Sequence, residues 1–390
     1  MKKFGLRFTY NKKSAYLLSG FVLLIFITLI SLFLISKKRP DVSRESRAPD
    51  LSYAALERQV TTVSPLYEID RIYKSMKGPS SQHMLILDPE LLSSKKPELI
   101  WITGYKAVMV GADGETPVSQ EFMCHSNLDI DIRKHAELFG WEKNNPSTRL
   151  FTLSQGQFDI AFPEGFGVPV LATEPLYLVT QVLNLNDKEN KYKVRHKITI
   201  DYIRDSDLTI PMKPLMMIGA IGLKLLEGQD GYFGMASANE DEHGPGCSLG
   251  QNADFRTVED KFNRKFTLHW VVKPGREVNR TLATKYMNLP YDTAIHYIAV
   301  HLHPFAESVE LRDLTTGKTV YKSKTRLAKH KIGIEEVEYF SSDKGIPLYK
   351  DHEYQVISVY NNTTDQDQDA MVTIFLYVLD KEFQKPATKL

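Results

Sequence analysis

The run Ile295-His296-Tyr297-Ile298-Ala299-Val300-His301-Leu302-His303 carries two histidines at alternate positions. Successive side chains on a β-strand point to opposite faces. His301 and His303 therefore share a face with Tyr297 and Ala299, while Ile298, Val300 and Leu302 form an apolar face turned to a core. Two imidazoles side by side on the face away from that core can chelate a metal. A second run, Met371-Val372-Thr373-Ile374-Phe375-Leu376-Tyr377-Val378, divides in the same way. Val372, Ile374, Leu376 and Val378 make its core face, and Met371 points to the other side. Two imidazoles and one thioether suit copper, Cu(I) in particular, because sulfur is a soft ligand. The same residues also fit an ordinary polar strand face with Met371 as a packing residue, and spacing leaves both readings open.

Further candidates surround this set. In Phe266-Thr267-Leu268-His269-Trp270-Val271-Val272, the apolar residues Phe266, Leu268, Trp270 and Val272 alternate, so His269 points away from the core. It is either an additional ligand or orienting partner for the same metal, or a surface histidine. His296 falls on the face of Ile298 and reads as structural. His125 shares one strand face with Asn127 and Asp129, opposite Cys124, Ser126, Leu128 and Ile130, and is either an additional metal ligand in a degenerate first site or part of a polar face. His243 lies in an acidic loop that matches no EF-hand spacing. The two cysteines, Cys124 and Cys247, could form one disulfide in an exported protein.

These residues require strands to position them, and the sequence supplies strand signals. From residue 51 onward, short runs rich in β-branched and aromatic residues alternate with turn signals such as Gly-Ala-Asp-Gly and Thr-Thr-Gly-Lys. The pattern predicts an all-β protein of antiparallel β-sandwiches or jelly rolls, arranged as two tandem domains. The expected boundaries are 58–212 for the first sandwich and 264–381 for the second. Residues 213–263 are expected to form a linker and a long Gly-rich acidic loop, and 382–390 a tail.

Residues Ala15 to Ile35 form an uncharged apolar run long enough to span a bilayer as one helix. It is longer than a cleaved signal peptide's apolar region and is expected to act as an uncleaved signal-anchor. Residues 1–14 would then be cytoplasmic, and 36–57 a flexible stalk. Basic residues flank the run on both sides, so charge does not set its orientation. Because N-terminal anchors commonly export the chain on their C-terminal side, the bulk is expected on the periplasmic or extracellular side. The 390 residues carry a net charge of +1, with no basic stripe to bind nucleic acid.

Val271-Val272-Lys273-Pro274-Gly275-Arg276-Glu277, then a strand ending in His301-Leu302-His303, then Asp369-Ala370-Met371 resembles the second domain of the copper type II, ascorbate-dependent monooxygenases. Peptidylglycine alpha-hydroxylating monooxygenase and dopamine beta-hydroxylase belong to that family. The resemblance implies two jelly-roll-like domains with one copper each. It implies an oxygen-activating copper on His301, His303 and Met371, an external reductant, and a small-molecule or peptide substrate between the domains. The chain departs from the family in the first domain. Where the family carries a tandem His, it reads Cys124-His125. The later strand, which should hold a third His, reads Gln181-Val182-Leu183-Asn184. One copper is therefore expected rather than two. The functions left in view are a copper monooxygenase, a non-catalytic copper carrier or sensor, and a structural or interaction module that has lost copper.

Overall fold

A computed structural model describes residues 52–74, 77–93, 98–139, 147–225, 257–259 and 265–386. The apolar run 15–35, the acidic loop with His243, and Cys247 lie outside the described residues. Among the described residues, no helix is long and apolar enough to cross a membrane. The described residues are mostly β-strand, and the helices among them are short, such as Ile132–Phe139.

A ten-stranded sheet runs through the whole of the described body. At one end Arg58–Val63, Tyr192–Arg204, Leu99–Gly111 and Phe166–Leu171 pair antiparallel. Phe166–Leu171 then meets Lys213–Ile221 through a short parallel contact, Lys213 opposite Phe166. Lys213–Ile221 continues antiparallel to Val372–Leu379, which pairs with the His-x-His strand Thr293–Leu302, and the sheet ends at Phe340–Leu348. A four-stranded sheet (Ser80–Leu85, Leu176–Val182, Met123–Ile130, Arg149–Ser154) accompanies the N-terminal half. A five-stranded sheet built on Gly275–Leu282, Tyr354–Asn362, Ala306–Asp313, Lys318–Leu327 and Ile334–Val337 accompanies the C-terminal half.

Each half has its own apolar core, and the shared strands feed both. Ile298, Val300, Leu302, Ile374, Leu376 and Val378 belong to the C-terminal core. Tyr297, Ala299, Phe375 and Tyr377, on the opposite face of the same strands, belong to the N-terminal core with Phe151, Leu153 and Phe166. A sheet covered on both faces needs apolar residues at nearly every position. Hence Lys213–Ile221, KPLMMIGAI, is a central strand although the sequence suggested a linker there. Three side-chain contacts reinforce the junction. Gln157 accepts from the Val300 amide at 3.1 Å and donates to the Tyr297 hydroxyl at 3.3 Å, and the Tyr377 hydroxyl donates to the Leu150 carbonyl at 2.9 Å.

Two local irregularities change the alternation read from sequence. A β-bulge between Ile295 and Tyr297 shifts the register on both sides of the strand. It puts His296 against the Phe166 ring, 4.2 Å between centres, with Nδ1 3.0 Å from the Ser342 carbonyl, a structural role. The run 265–272 is two strands, Lys265–Thr267 and Trp270–Val272, with a bend at Leu268 and His269. Phe266 and Leu268 consequently pack in a small separate cluster, while Trp270 and Val272 enter the C-terminal core.

Candidate metal centre

His301 sits near the end of its strand, directly across from Thr373 on the neighbouring strand, and His303 follows one residue beyond the strand end. Their ring centres are 5.4 Å apart with planes at 85°. Both are buried, His301 at 6% and His303 at 3% exposure. The face they occupy is the one turned toward the N-terminal core, so the imidazoles are shielded by packing rather than displayed to solvent. Burial pushes the His301 pKa well below the ordinary value, and the neighbouring His303, His125 and His269 add to the effect. Burial brings His303 down to about 4, opposed in part by a hydrogen bond to the Asp369 backbone. Both rings are neutral near pH 7, the form that can offer a lone pair to a metal.

Nδ1 of His301, Nδ1 of His303 and the Thr373 hydroxyl are buried without a protein hydrogen-bond partner. Each such orphaned group costs about 1–3 kcal/mol. Buried polar groups in native proteins are overwhelmingly partnered, so this cluster calls for a bound water or ion. The donor set also suits copper: two imidazole nitrogens, with the thioether of Met371 two residues before Thr373, the residue opposite His301.

Met371 lies one residue before the strand Val372–Leu379, buried in a cluster with Ile221, Leu223 and Leu268. Tyr360 connects its backbone to that of His303. The Tyr360 hydroxyl donates to the Met371 carbonyl at 2.7 Å and accepts from the His303 amide at 3.4 Å. Burial keeps that phenol protonated by raising its pKa. His269 is half-buried, and its ring centre lies 5.8 Å from that of His303. The Thr267 hydroxyl donates to the His269 carbonyl at 2.8 Å and accepts from its amide at 3.1 Å, which fixes the bend that presents the ring.

His125 comes from the other half, on the strand Met123–Ile130, and is 2% exposed. Burial lowers its pKa well below the ordinary value, followed by the charge of Arg149 and then by His196, His303 and His269. The fold thus draws His125 toward the C-terminal histidines. Its strand face, with Asn127 and Asp129, is polar and buried. Asp129 pairs there with Arg149, Nε to Oδ1 2.9 Å, with both side chains buried. Opposite His125 in register stands Gln181, whose amide donates to the Gly78 carbonyl at 2.8 Å. Cys124 is buried, and its expected partner Cys247 lies outside the described residues.

Sequence reasoning did not single out Arg149, His196 or Gln157. Arg149 and Gln157 act through the packing of distant strands, which leaves no local spacing signal. His196 sits between apolar positions on the strand Tyr192–Arg204, and its isolation in an apolar face was the one available sign. Among the described residues, no three His, Cys, Asp or Glu side chains form a ready-made metal cage. A site of two imidazoles and one thioether is a different donor set from such a cage.

No family model matches the chain, and no curated protein matches it significantly. Among solved structures, the Macrobrachium rosenbergii nodavirus structure aligns over 87% of this chain and 96% of its own, at 8% identity and a TM-score of 0.16. A score that low carries no argument about fold or function.

Proposed function

We propose that this chain is a membrane-anchored, extracytoplasmic copper-binding protein, built on two tandem jelly-roll-like domains and related to the copper type II monooxygenases. His301 and His303 would hold one copper, with Met371 as the soft third donor. The observation that carries the reading is the adjacent pair of buried, neutral imidazoles whose Nδ1 atoms have no protein partner. The apolar run 15–35 supports the anchor and, through it, the periplasmic or extracellular setting.

Copper would supply one-electron redox chemistry at this point. The surrounding residues favour holding the ion over turning over a substrate. His301 and His303 are nearly inaccessible, and the Gln157 side chain latches the His301 strand itself, at Val300, to the N-terminal half. Hydroxylation of a small molecule or peptide, driven by an external reductant, would need that junction to open. Carriage, sensing or a purely structural use of copper would not.

The test is copper per chain by elemental analysis, on full-length protein loaded with copper and desalted. One equivalent in the wild type and none in the His301→Ala/His303→Ala double variant is the expected result. No copper in the wild type would refute the reading and leave a structural or interaction module.

A further inference from the structure

The strand Arg58–Val63 forms one end of the ten-stranded sheet, and among the described residues no strand pairs with its outer edge. We infer that this edge pairs antiparallel with the same strand of a second copy, giving a two-fold dimer whose main sheet runs through both chains. The dimer needs no copper; it rests on the reading above only for the membrane anchor.

In an antiparallel ladder, residues that exchange hydrogen bonds alternate with residues that do not. The Ser64 amide donates to the His196 carbonyl at 2.9 Å, in the same register that sets Arg58 opposite Tyr202 and Val63 opposite Lys197. Arg58, Val60 and Thr62 therefore bond inward to Tyr192–Arg204, and Gln59, Thr61 and Val63 turn their amides and carbonyls outward. The same three residues have exposed side chains. The register that uses all of them places Thr61 on a two-fold axis. Thr61 then faces the partner's Thr61, Gln59 faces the partner's Val63, and each such pair exchanges two hydrogen bonds. A contact of this isologous kind closes on itself and does not grow. The next outward residue, Pro65, has no N–H and ends the ladder.

Composition favours this edge over the others. Val60, Thr61, Thr62 and Val63 are all β-branched and fit a pleated sheet. The one charged side chain, Arg58, pairs with Asp207 of its own chain, Nη2 to Oδ2 3.0 Å, and would stand opposite the partner's Ser64, so no like charges meet across the axis. Natural sheets guard an open edge with charge, Pro or a bulge. The opposite end of the same sheet does so. In Phe340–Leu348 the pairing skips from Ser341 to Ile346, and the strand carries Asp343, Lys344, Gly345 at φ +72° and Pro347. Ser80–Leu85, which also ends its sheet, contains no β-branched residue. The short ladder buries less area than a stable interface in free solution needs. Copies held in one bilayer by the apolar run 15–35 meet at a raised effective concentration, which offsets that shortfall.

The experiment uses full-length protein reconstituted into lipid vesicles, with near-UV circular dichroism to confirm that each variant is folded. One cysteine is added at a time, at Thr61→Cys or, on the other two edges, at Gln82→Cys or Ser341→Cys. Each is cross-linked with a short bis-maleimide, and the wild type, with its own Cys124 and Cys247, gives the background. Cross-linked dimer above background is expected for Thr61→Cys alone. Energy transfer between donor- and acceptor-labelled copies should fall to the level of random mixing in Thr61→Lys and in Thr61→Glu, where like charges face each other on the axis. It should return when Thr61→Lys and Thr61→Glu chains are mixed, a recovery that misfolding would not give. Equal cross-linking at Gln82→Cys or Ser341→Cys, or no recovery on mixing, would overturn the dimer and leave the copper site untouched. Protein that stays out of the vesicles would refute the anchor, and the Thr61→Cys cross-link in concentrated solution would then decide the dimer: its presence sustains the pairing without a bilayer, and its absence overturns it.

Discussion

His196 provides a quantitative test of how dry the N-terminal core is. Its ring is fully buried beside Tyr67, and neither nitrogen has a hydrogen-bond partner within ordinary limits. Burial lowers its pKa to about 3, opposed in part by the Gln181 backbone. In the unfolded chain the ring titrates near 6.5. Above pH 6.5 it is neutral in both states and does not make stability depend on pH. As pH falls below 6.5 the unfolded state takes up a proton that the folded state refuses until about pH 3, so stability is lost across that window. Each pH unit there costs about 1.4 kcal/mol. Going from pH 7.5 to 5.0 covers about 1.5 units of the window, or about 2 kcal/mol from this ring alone. Replacing the ring with a hydrocarbon, His196→Leu, should remove that component. Urea unfolding of the metal-free protein at the two pH values gives the comparison. The variant should lose about 2 kcal/mol less than the wild type over the interval. Contributions from His125, His301, His303 and the raised Asp129 cancel in the difference. Equal losses in the two proteins, or an NMR titration of folded His196 near pH 6.5, would refute the argument that the ring is held neutral by burial.

Two further predictions concern the junction. Gln157→Ala removes the acceptor of the Val300 amide and the weaker bond to Tyr297. It should destabilise the protein by about 2–3 kcal/mol, because a buried backbone amide is left unpaired. A double-mutant cycle with Tyr297→Phe, read by urea unfolding, should assign less than half of that loss to the Tyr297 bond, and a larger share would contradict the assignment. Gly156 has φ +87°, and a Cβ there would lie 2.7 Å from Ile334 Cγ2 and 2.8 Å from Val337 Cγ2. Gly156→Ala therefore meets both a backbone penalty of about 1–2 kcal/mol and a clash with two stiff β-branched side chains. A thermal midpoint within a degree of wild type would show that the loop is not seated against 334–337.

The alternation that separates His301 and His303 from Ile298, Val300 and Leu302 was readable from sequence because it depends only on strand geometry. What covers the histidine face was not. A period of two distinguishes two faces but does not say whether the second meets solvent or another core. Here it meets the N-terminal core, through Tyr297, Ala299, Phe375 and Tyr377. The strand Lys213–Ile221 was missed for the related reason that burial on both faces erases alternation. A bulge at His296 and a bend at His269 interrupt the alternation, and each resets the face count without leaving a Gly or Pro signal at the site. The buried Arg149–Asp129 pair joins two strands twenty positions apart, beyond the reach of any local pattern.

The double coverage of the central strands bears directly on the competing functional readings. A copper site in an open cleft can lose its metal and leave the rest of the fold unchanged. The cluster formed by His301, His303 and Thr373 lies instead where two cores meet, with orphaned polar atoms that cost about 1–3 kcal/mol each when nothing is bound. An ion held there would satisfy those groups and stabilise the junction by mass action, since it binds the folded arrangement and not the separated strands. Metal binding and structural coupling of the two halves would then be one event. On this argument a copper-free chain should be distinguishable from the loaded one by its unfolding as well as by its chemistry.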